Sequence, residues 1–490
     1  MPSKPLSVLY VSSEVYPFAK TGGLADVSFS LPIAIRDLGH DIRVMLPKYG
    51  NISERKNRIH EINRLRDIPI PVGEITEPAT VKSSSINNPR TKVQAYVTTN
   101  FNFFDAKKGL YADPVTGEAY NNDERFIFFA RTVIQTCLLL GWFPDIIHCN
   151  GWQTGLLPAY LRTIYAKEFA NTKILYTIHN FSDQGIFPAS SCDKTGLPTE
   201  VYPQITHDKK LNFLKAGISF SDALSTVSPT YAKEMIKDKE IGGGLHTALK
   251  NHELPGIING IDLYGWMPKS DIMIAKQYDA NTWQSGKAAN KEKLLQTFEL
   301  QPKESTPVIG MISRLSEAKG IPLFLEAAAD ILKEDVQIVF LGDGDTKMKK
   351  EISKIAAKFK GNFSVKLGFD DELAHLIEAG SDMFLMPSHH EPCGLNQMYS
   401  MMYGTVPIVR STGGLADTVN DYDPKKSPEG NGIVFKKYEA ADLVHAVHRA
   451  VKLYGTENWE TVVRNGLSTD FSWSASAKKY DELYRSLMDA

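Results

Sequence analysis

Five groups of residues have the types and spacing to handle a charged or hydroxyl-rich ligand. Arg314 and Lys319 lie five residues apart in SRLSEAKG, immediately after the apolar run PVIGMI. A forked guanidinium and a flexible ammonium at that spacing suit a diphosphate, which gains charge as its bond to a sugar breaks; paired surface charges are the alternative. In MPSHHEPCGLNQMY, Glu391 precedes a predicted helix start near Gly394. Its carboxylate could accept hydrogen bonds from sugar hydroxyls, and the N–H groups of Gly394 and Leu395 could face an anion. Cys393 reads either as a reactive thiol beside a helix start or as a small buried filler. His389 and His390 lack partners at metal-ligand spacing and read as packing or surface residues.

The hexapeptide TGGLAD occurs twice, at 21–26 and at 412–417, in unlike flanks, which argues against a duplicated domain. Each copy reads as a turn feeding a helix, either as plain punctuation or with bare backbone N–H groups turned to a common anion. Lys20, Gly22 and Gly23 form the first such turn; Thr412, Gly413 and Gly414 form the second, after the strand VPIVRS. His179, Asn180 and Gln184 follow the run KILYTI, and a polar trio at the end of a strand fits sugar hydroxyls. GxSxG, HExxH, GxxxxGK[ST] and GxGxxG are all missing, which removes the anchors of serine hydrolases, zincins, P-loop kinases and nicotinamide enzymes.

These residues need elements to position them. Short apolar runs alternate with helix-period segments, from LSVLYVSS (6–13) to KILYTIHN, and again from PVIGMISRL (near 307) to a last helix beyond 439. That order predicts α/β architecture with two doubly wound, Rossmann-like domains. Ile352, Ile355, Ala356 and Phe359 share one face of a helix in the second series. The Gly- and Pro-rich stretch HELPGIINGIDLYGWMPKSD reads as a hinge, and the polar residues 76–92 read as a surface loop. Ligands of such sheets sit beyond the strands' carboxyl ends, so the expectation is two domains facing across a deep cleft.

A chain of 490 residues exceeds one ordinary core. With 55 Lys plus Arg against 57 Asp plus Glu, the net charge of −2 provides no general field for nucleic acid or an anionic membrane. No run of eighteen apolar residues occurs, and the N-terminal MPSKPLSVLYVSSE has no transit character. Four scattered cysteines fit reduced thiols and a cytoplasmic setting.

Together these motifs resemble the bacterial-type glycogen (starch) synthases, retaining glycosyltransferases of the GT-B fold. The resemblance runs through KTGGLADV (20–27), HNFSDQGIF (179–187), NGID (259–262), SRLSEAKG (313–320), EPCGL (391–395), STGGLADTV (411–419) and DFSWSASAKKYDELY (470–484). It implies transfer of glucose from ADP-glucose to the non-reducing end of an α-1,4-glucan such as glycogen, with retention, without cofactor or metal. It implies an acceptor-side domain over 1–258, a donor-side domain over 259–469, and a closing helix over 470–490 that returns to the first domain. Carried over by position, His179, Arg314, Lys319 and Glu391 become the catalytic set. Lys20, Gly22, Gly23, Asp26, Asn259, Cys393, Gly394, Leu395, Thr412, Gly413 and Gly414 become donor contacts, with Asn180 and Gln184 elsewhere in the cleft. UDP-glucose as donor, and a glucan-binding protein without catalysis, are the rival readings. The chain departs from the family at HCNGWQ (148–153), where many relatives read H-x-H-D-W-H, so Gly151 stands in place of an acidic residue.

Overall fold

Several strands of this chain are buried on both faces, as parallel strands covered by helices must be. In a computed structural model that describes residues 4–489, every residue of Gln337–Gly342 is buried, and so is all but the first of Ser7–Ser12. The first three residues of MPSKPLSVLYVSSE and the last of the closing segment lie outside the described residues. The chain divides into two compact units. One comprises the chain up to Val227, Ala232–Gly260 and the chain from Trp473 onward; the other comprises Ser228–Tyr231 and Ile261–Ser472. The division falls two or three residues from the boundaries expected at 258/259 and 469/470, and the short segment 228–231 was not anticipated as part of the second unit.

The first unit contains β1 (Ser7–Ser12), β2 (Asp41–Pro47), β3 (His60–Glu61), β4 (Ile68–Val72), β5 (Ile75–Asn87), β6 (Lys92–Thr99), β7 (Ile146–Asn150) and β8 (Lys173–Ile178). A small antiparallel sheet is made of β9 (Ile186–Phe187), β10 (Thr206–His207) and β11 (Lys210–Asn212), and β12 (Ala223–Thr226) returns to the main sheet. The main order is β12-β8-β7-β1-β2-β6-β5-β3, with β4 paired to β5. From β12 to β6 all neighbours are parallel, whereas β5 runs antiparallel to β6.

The loop expected over 76–92 is therefore a strand for most of its length. Ala79, Val81 and Ile86 turn inward, and the Ser, Lys and Asn residues that gave the stretch its loop-like composition occupy less buried positions.

The closing helix Trp473–Asp489 packs on the helix Gly23–Asp37, burying Trp473, Ala477, Tyr480, Tyr484 and Leu487. Its side chains reach histidines of the first unit: Tyr484 OH lies 2.7 Å from His148 Nδ1, while Asp481 Oδ1 lies 2.9 Å and Arg485 Nη2 3.5 Å from His40 Nε2.

The second unit has β13 (Val308–Ile312), β14 (Gln337–Gly342), β15 (Phe363–Leu367), β16 (Met383–Met386), β17 (Val406–Arg410) and β18 (Ile433–Phe435), all parallel, in the order β15-β14-β13-β16-β17-β18. The order reverses between β13 and β16, which opens a crevice beyond their carboxyl ends. Ile352 is buried in this unit's core, and Ile355, Ala356 and Phe359 pack against it, as their shared face predicts.

Candidate active site

The reversal in the second unit brings together the two segments that the spacing of charges singled out. The loop after β13 carries Arg314 and Lys319; the loop after β16 carries Glu391. Backbone bonds hold the loops in register, because the N–H groups of both His389 and His390 donate to Ala318 O, at 2.9 and 3.2 Å. Lys319 Nζ then reaches both carboxylate oxygens of Glu391, at 2.7 and 2.6 Å, while Ser388 Oγ donates to Oε2 at 3.1 Å. Glu391 is only 4 % exposed, so this ion pair neutralises a carboxylate that solvent barely reaches. Arg314 is exposed and makes no ion pair among the described residues, which leaves its guanidinium available to an incoming anion.

A third loop completes this edge. Gly413, at φ +44°, lies so close to the Glu391 loop that a Cβ would stand 1.9 Å from Glu391 O; Gly414 N donates to that same oxygen at 3.1 Å. Cys393 is buried, and its carbonyl accepts from Gln397 Nε2 at 3.0 Å. The helix after it begins at Asn396, two residues later than expected, so Gly394 and Leu395 precede the helix and Leu395 is its N-cap. Thr412 is the N-cap of the short helix Gly413–Thr418. Phe369, 77 % exposed just past β15, went unnoticed in the sequence; an uncovered aromatic at a strand's carboxyl end was the available signal.

In the first unit the carboxyl ends of β1, β7 and β8 are adjacent: Ser12 pairs with Asn150, and Asn150 with Thr177. The turn after β1 holds Lys20, whose Nζ lies 2.9 Å from Asp26 Oδ1. This turn is anchored by Glu14, which the motif reading passed over. Glu14 is buried and accepts from Thr21 N (2.5 Å), Thr21 Oγ1 (2.7 Å) and Tyr111 OH (2.7 Å). Its signal was an acidic residue two positions beyond an apolar strand.

The two TGGLAD copies are not the same backbone solution. The first helix starts at Gly23 with Gly22 as an extended N-cap; the second starts one residue earlier in the motif, at Gly413. A Cβ on Gly22 would meet nothing within 4 Å. The aspartates also differ in use. Asp26 pairs with Lys20, whereas Asp417 accepts from Ser228 Oγ (2.5 Å), Thr230 N (3.0 Å) and Thr230 Oγ1 (2.6 Å), tying residues 228–231 to the second unit.

His179, just past β8, is partly exposed, and its Nε2 lies 2.9 Å from Asn150 Oδ1. Burial lowers its pKa to about 4, so the ring is neutral at pH 7. Asn180 donates to Asp183 Oδ2 at 2.8 Å and organises its own loop. Gln184 is a cross-link: its amide donates to Gly242 O at 2.7 Å and accepts from Asn212 Nδ2 at 2.8 Å. It borders a cavity of about 330 Å³ that Ser182, Ile186, His207, Lys210 and Glu240 also line. Asn259 is buried with its Oδ1 lacking a partner among the described residues. Gly151 adopts φ +74° and ψ 168°, a conformation essentially reserved for glycine, and a Cβ there would stand 2.9 Å from Gln153 Oε1. That backbone strains any residue with a side chain, including the acidic one that the resemblance implies at this position. No group of three metal-ligating side chains is gathered among the described residues.

A family profile described as the starch synthase catalytic domain matches residues 7–251, and one described as glycosyl transferases group 1 matches 292–465. The chain is 40 % identical to a glycogen synthase of Anaeromyxobacter sp. over 98 % of this chain and 99 % of that protein, and 41 % identical to one of Desulforudis audaxviator over 99 % and 97 %. The chain belongs to the glycogen (starch) synthase family. Its fold matches the catalytic domain of starch synthase IV from Arabidopsis thaliana, solved with ADP and acarbose, with a TM-score of 0.90 and 31 % identity over 99 % of this chain and 100 % of that one. A sucrose-phosphate synthase from Thermosynechococcus elongatus, at 17 % identity and a TM-score of 0.62 over 99 % of each chain, shares the fold. This member of the family is a glycosyltransferase of the GT-B class.

Proposed function

We propose that this glycosyltransferase transfers glucose from ADP-glucose to the non-reducing end of an α-1,4-glucan, with retention, in glycogen synthesis. The observation that carries the reading is the full-length family match together with the Lys319–Glu391 pair at the strand-order reversal of the second unit. Arg314 and Lys319 are assigned to the diphosphate, where a forked and a flexible cation stabilise charge that grows as the glucosyl bond lengthens. Glu391 is assigned to the glucosyl hydroxyls, and the exposed ring of Phe369 offers a stacking surface for a purine. On the first unit, Lys20 and Asp26 are assigned to the donor and His179 to the transferred sugar. The loop continuing from His179 borders the cavity at Ser182 and Ile186, whose mixture of hydroxyl, charge and aliphatic surface suits a glucan.

The reaction is proposed to need no metal, and a chelator should leave the rate unchanged. A cytoplasmic setting fits four buried cysteines without disulfides. The deciding experiment is incorporation of labelled glucose into glycogen, with ADP-glucose and UDP-glucose supplied in parallel. Preferential transfer from ADP-glucose into α-1,4 linkages is expected. Preference for UDP-glucose would overturn the donor, and glycogen binding without transfer from either would overturn the enzyme reading for this chain.

A further inference from the structure

The contact between Asn150 and His179 has a determined direction. Asn150 is fully buried, and its Nδ2 lies 3.0 Å from His148 O and 3.3 Å from Val11 O. Turning the amide over would set its oxygen against two carbonyl oxygens out of reach of water, so the amide oxygen is the atom that faces His179. An amide oxygen only accepts, and His179 Nε2 must therefore carry the hydrogen of the 2.9 Å bond. A neutral imidazole has one N–H, which leaves Nδ1 with its lone pair.

We infer that Asn150 is a positioning residue that fixes His179 in the Nε2–H tautomer, so that His179 meets the transferred glucosyl group as a hydrogen-bond acceptor through Nδ1. The ligand in this statement rests on the glucosyl-transfer reading; the tautomer does not.

The surroundings support a neutral ring. The titratable group facing it from β7 is His148, fully buried and held neutral, with its two nitrogens 2.7 Å from Tyr484 OH and 2.6 Å from Thr177 Oγ1. Cys149 and Tyr176, the other titratable side chains on the ends of β7 and β8, are buried with their ionisation pushed up, so both are uncharged. Asp183, on the loop beyond His179, accepts from Asn180 Nδ2. Burial supplies the whole downward shift of His179. An asparagine at position 150 therefore has a property that a carboxylate would lack. Both accept from Nε2–H, but a carboxylate would also attract a second proton to the ring and turn Nδ1 into a donor.

Two measurements test this on the intact enzyme. Long-range proton–nitrogen spectra of protein labelled with 15N-histidine, with His179 identified by its loss in H179Q, should show Nε2 protonated and Nδ1 bare near neutral pH. A protonated Nδ1 would overturn the inference, and this readout stands even if glucosyl transfer from ADP-glucose proves absent. In N150D the acid limb of kcat/KM should move upward by at least about one pH unit from its start near His179's pKa of about 4, so that activity near pH 5, relative to that near pH 8, falls about twofold or more below that of the unaltered enzyme. A uniform loss at every pH, with the limb unmoved, would reduce Asn150 to a packing residue and overturn the proposal. If N150D does not fold, the wild-type spectrum decides.

Discussion

Arg314 and Lys319 look equivalent in the sequence, but the structure separates their consequences. Lys319 neutralises a buried carboxylate, whereas Arg314 is exposed and unpaired among the described residues. Each replaced by Ala should lower kcat/KM about a hundredfold or more if it faces the diphosphate. K319A should also lose about 1–3 kcal/mol in urea unfolding, because Glu391 is left without its partner, while R314A should stay within about 0.5 kcal/mol. Equal stability losses would contradict the geometry. His179 gives a second prediction. Its folded pKa of about 4 lies below the ordinary 6.5, so between these values the unfolded chain binds the proton more readily. Its contribution is full above about pH 6.5 and is lost as pH falls towards 4, on the order of 2–3 kcal/mol. H179Q should show a correspondingly flatter stability profile over that range. Residues of this kind were legible because charges and histidines next to strand ends are conspicuous in a sequence. Glu14 was not, since its importance comes from Thr21 and Tyr111 converging on it, and convergence of distant segments is written in no local pattern.

Among elements, the buried parallel strands were readable because an apolar run bounded by polar turns has few other solutions. β5 was missed because its Ser and Asn residues share the composition of a loop while only Ala79, Val81 and Ile86 carry the alternation, a signal that pairing with β6 makes decisive. The repeated TGGLAD shows the opposite error, one local sequence in two environments. G413A should cost at least about 2 kcal/mol and perturb the Glu391 loop, because a Cβ collides with Glu391 O from a left-handed backbone. G22A should leave stability within about 0.5 kcal/mol, since open space surrounds that position. Comparable thermal shifts in the two variants would refute this contrast.

At the level of the whole molecule, each unit has its own sheet, but only the second is nearly continuous in sequence. A fragment spanning 261–472 should therefore unfold cooperatively on its own. One ending at 260 should be markedly less stable, and a peptide of residues 473–490 added in trans should restore part of the loss. No stabilisation by the peptide would show that the contacts of Tyr480 and Tyr484 are incidental. The same arrangement imposes an order on biosynthesis. A chain emerging from the ribosome at about 5–20 residues per second completes the strands of its first unit long before that unit's last helix exists, an interval of tens of seconds. Through that interval His148 lacks Tyr484 and the helix Gly23–Asp37 lacks its cover. The nascent protein must wait with part of its first-made apolar surface open to chaperones, and a premature stop codon anywhere in the final helix damages the half of the molecule made first.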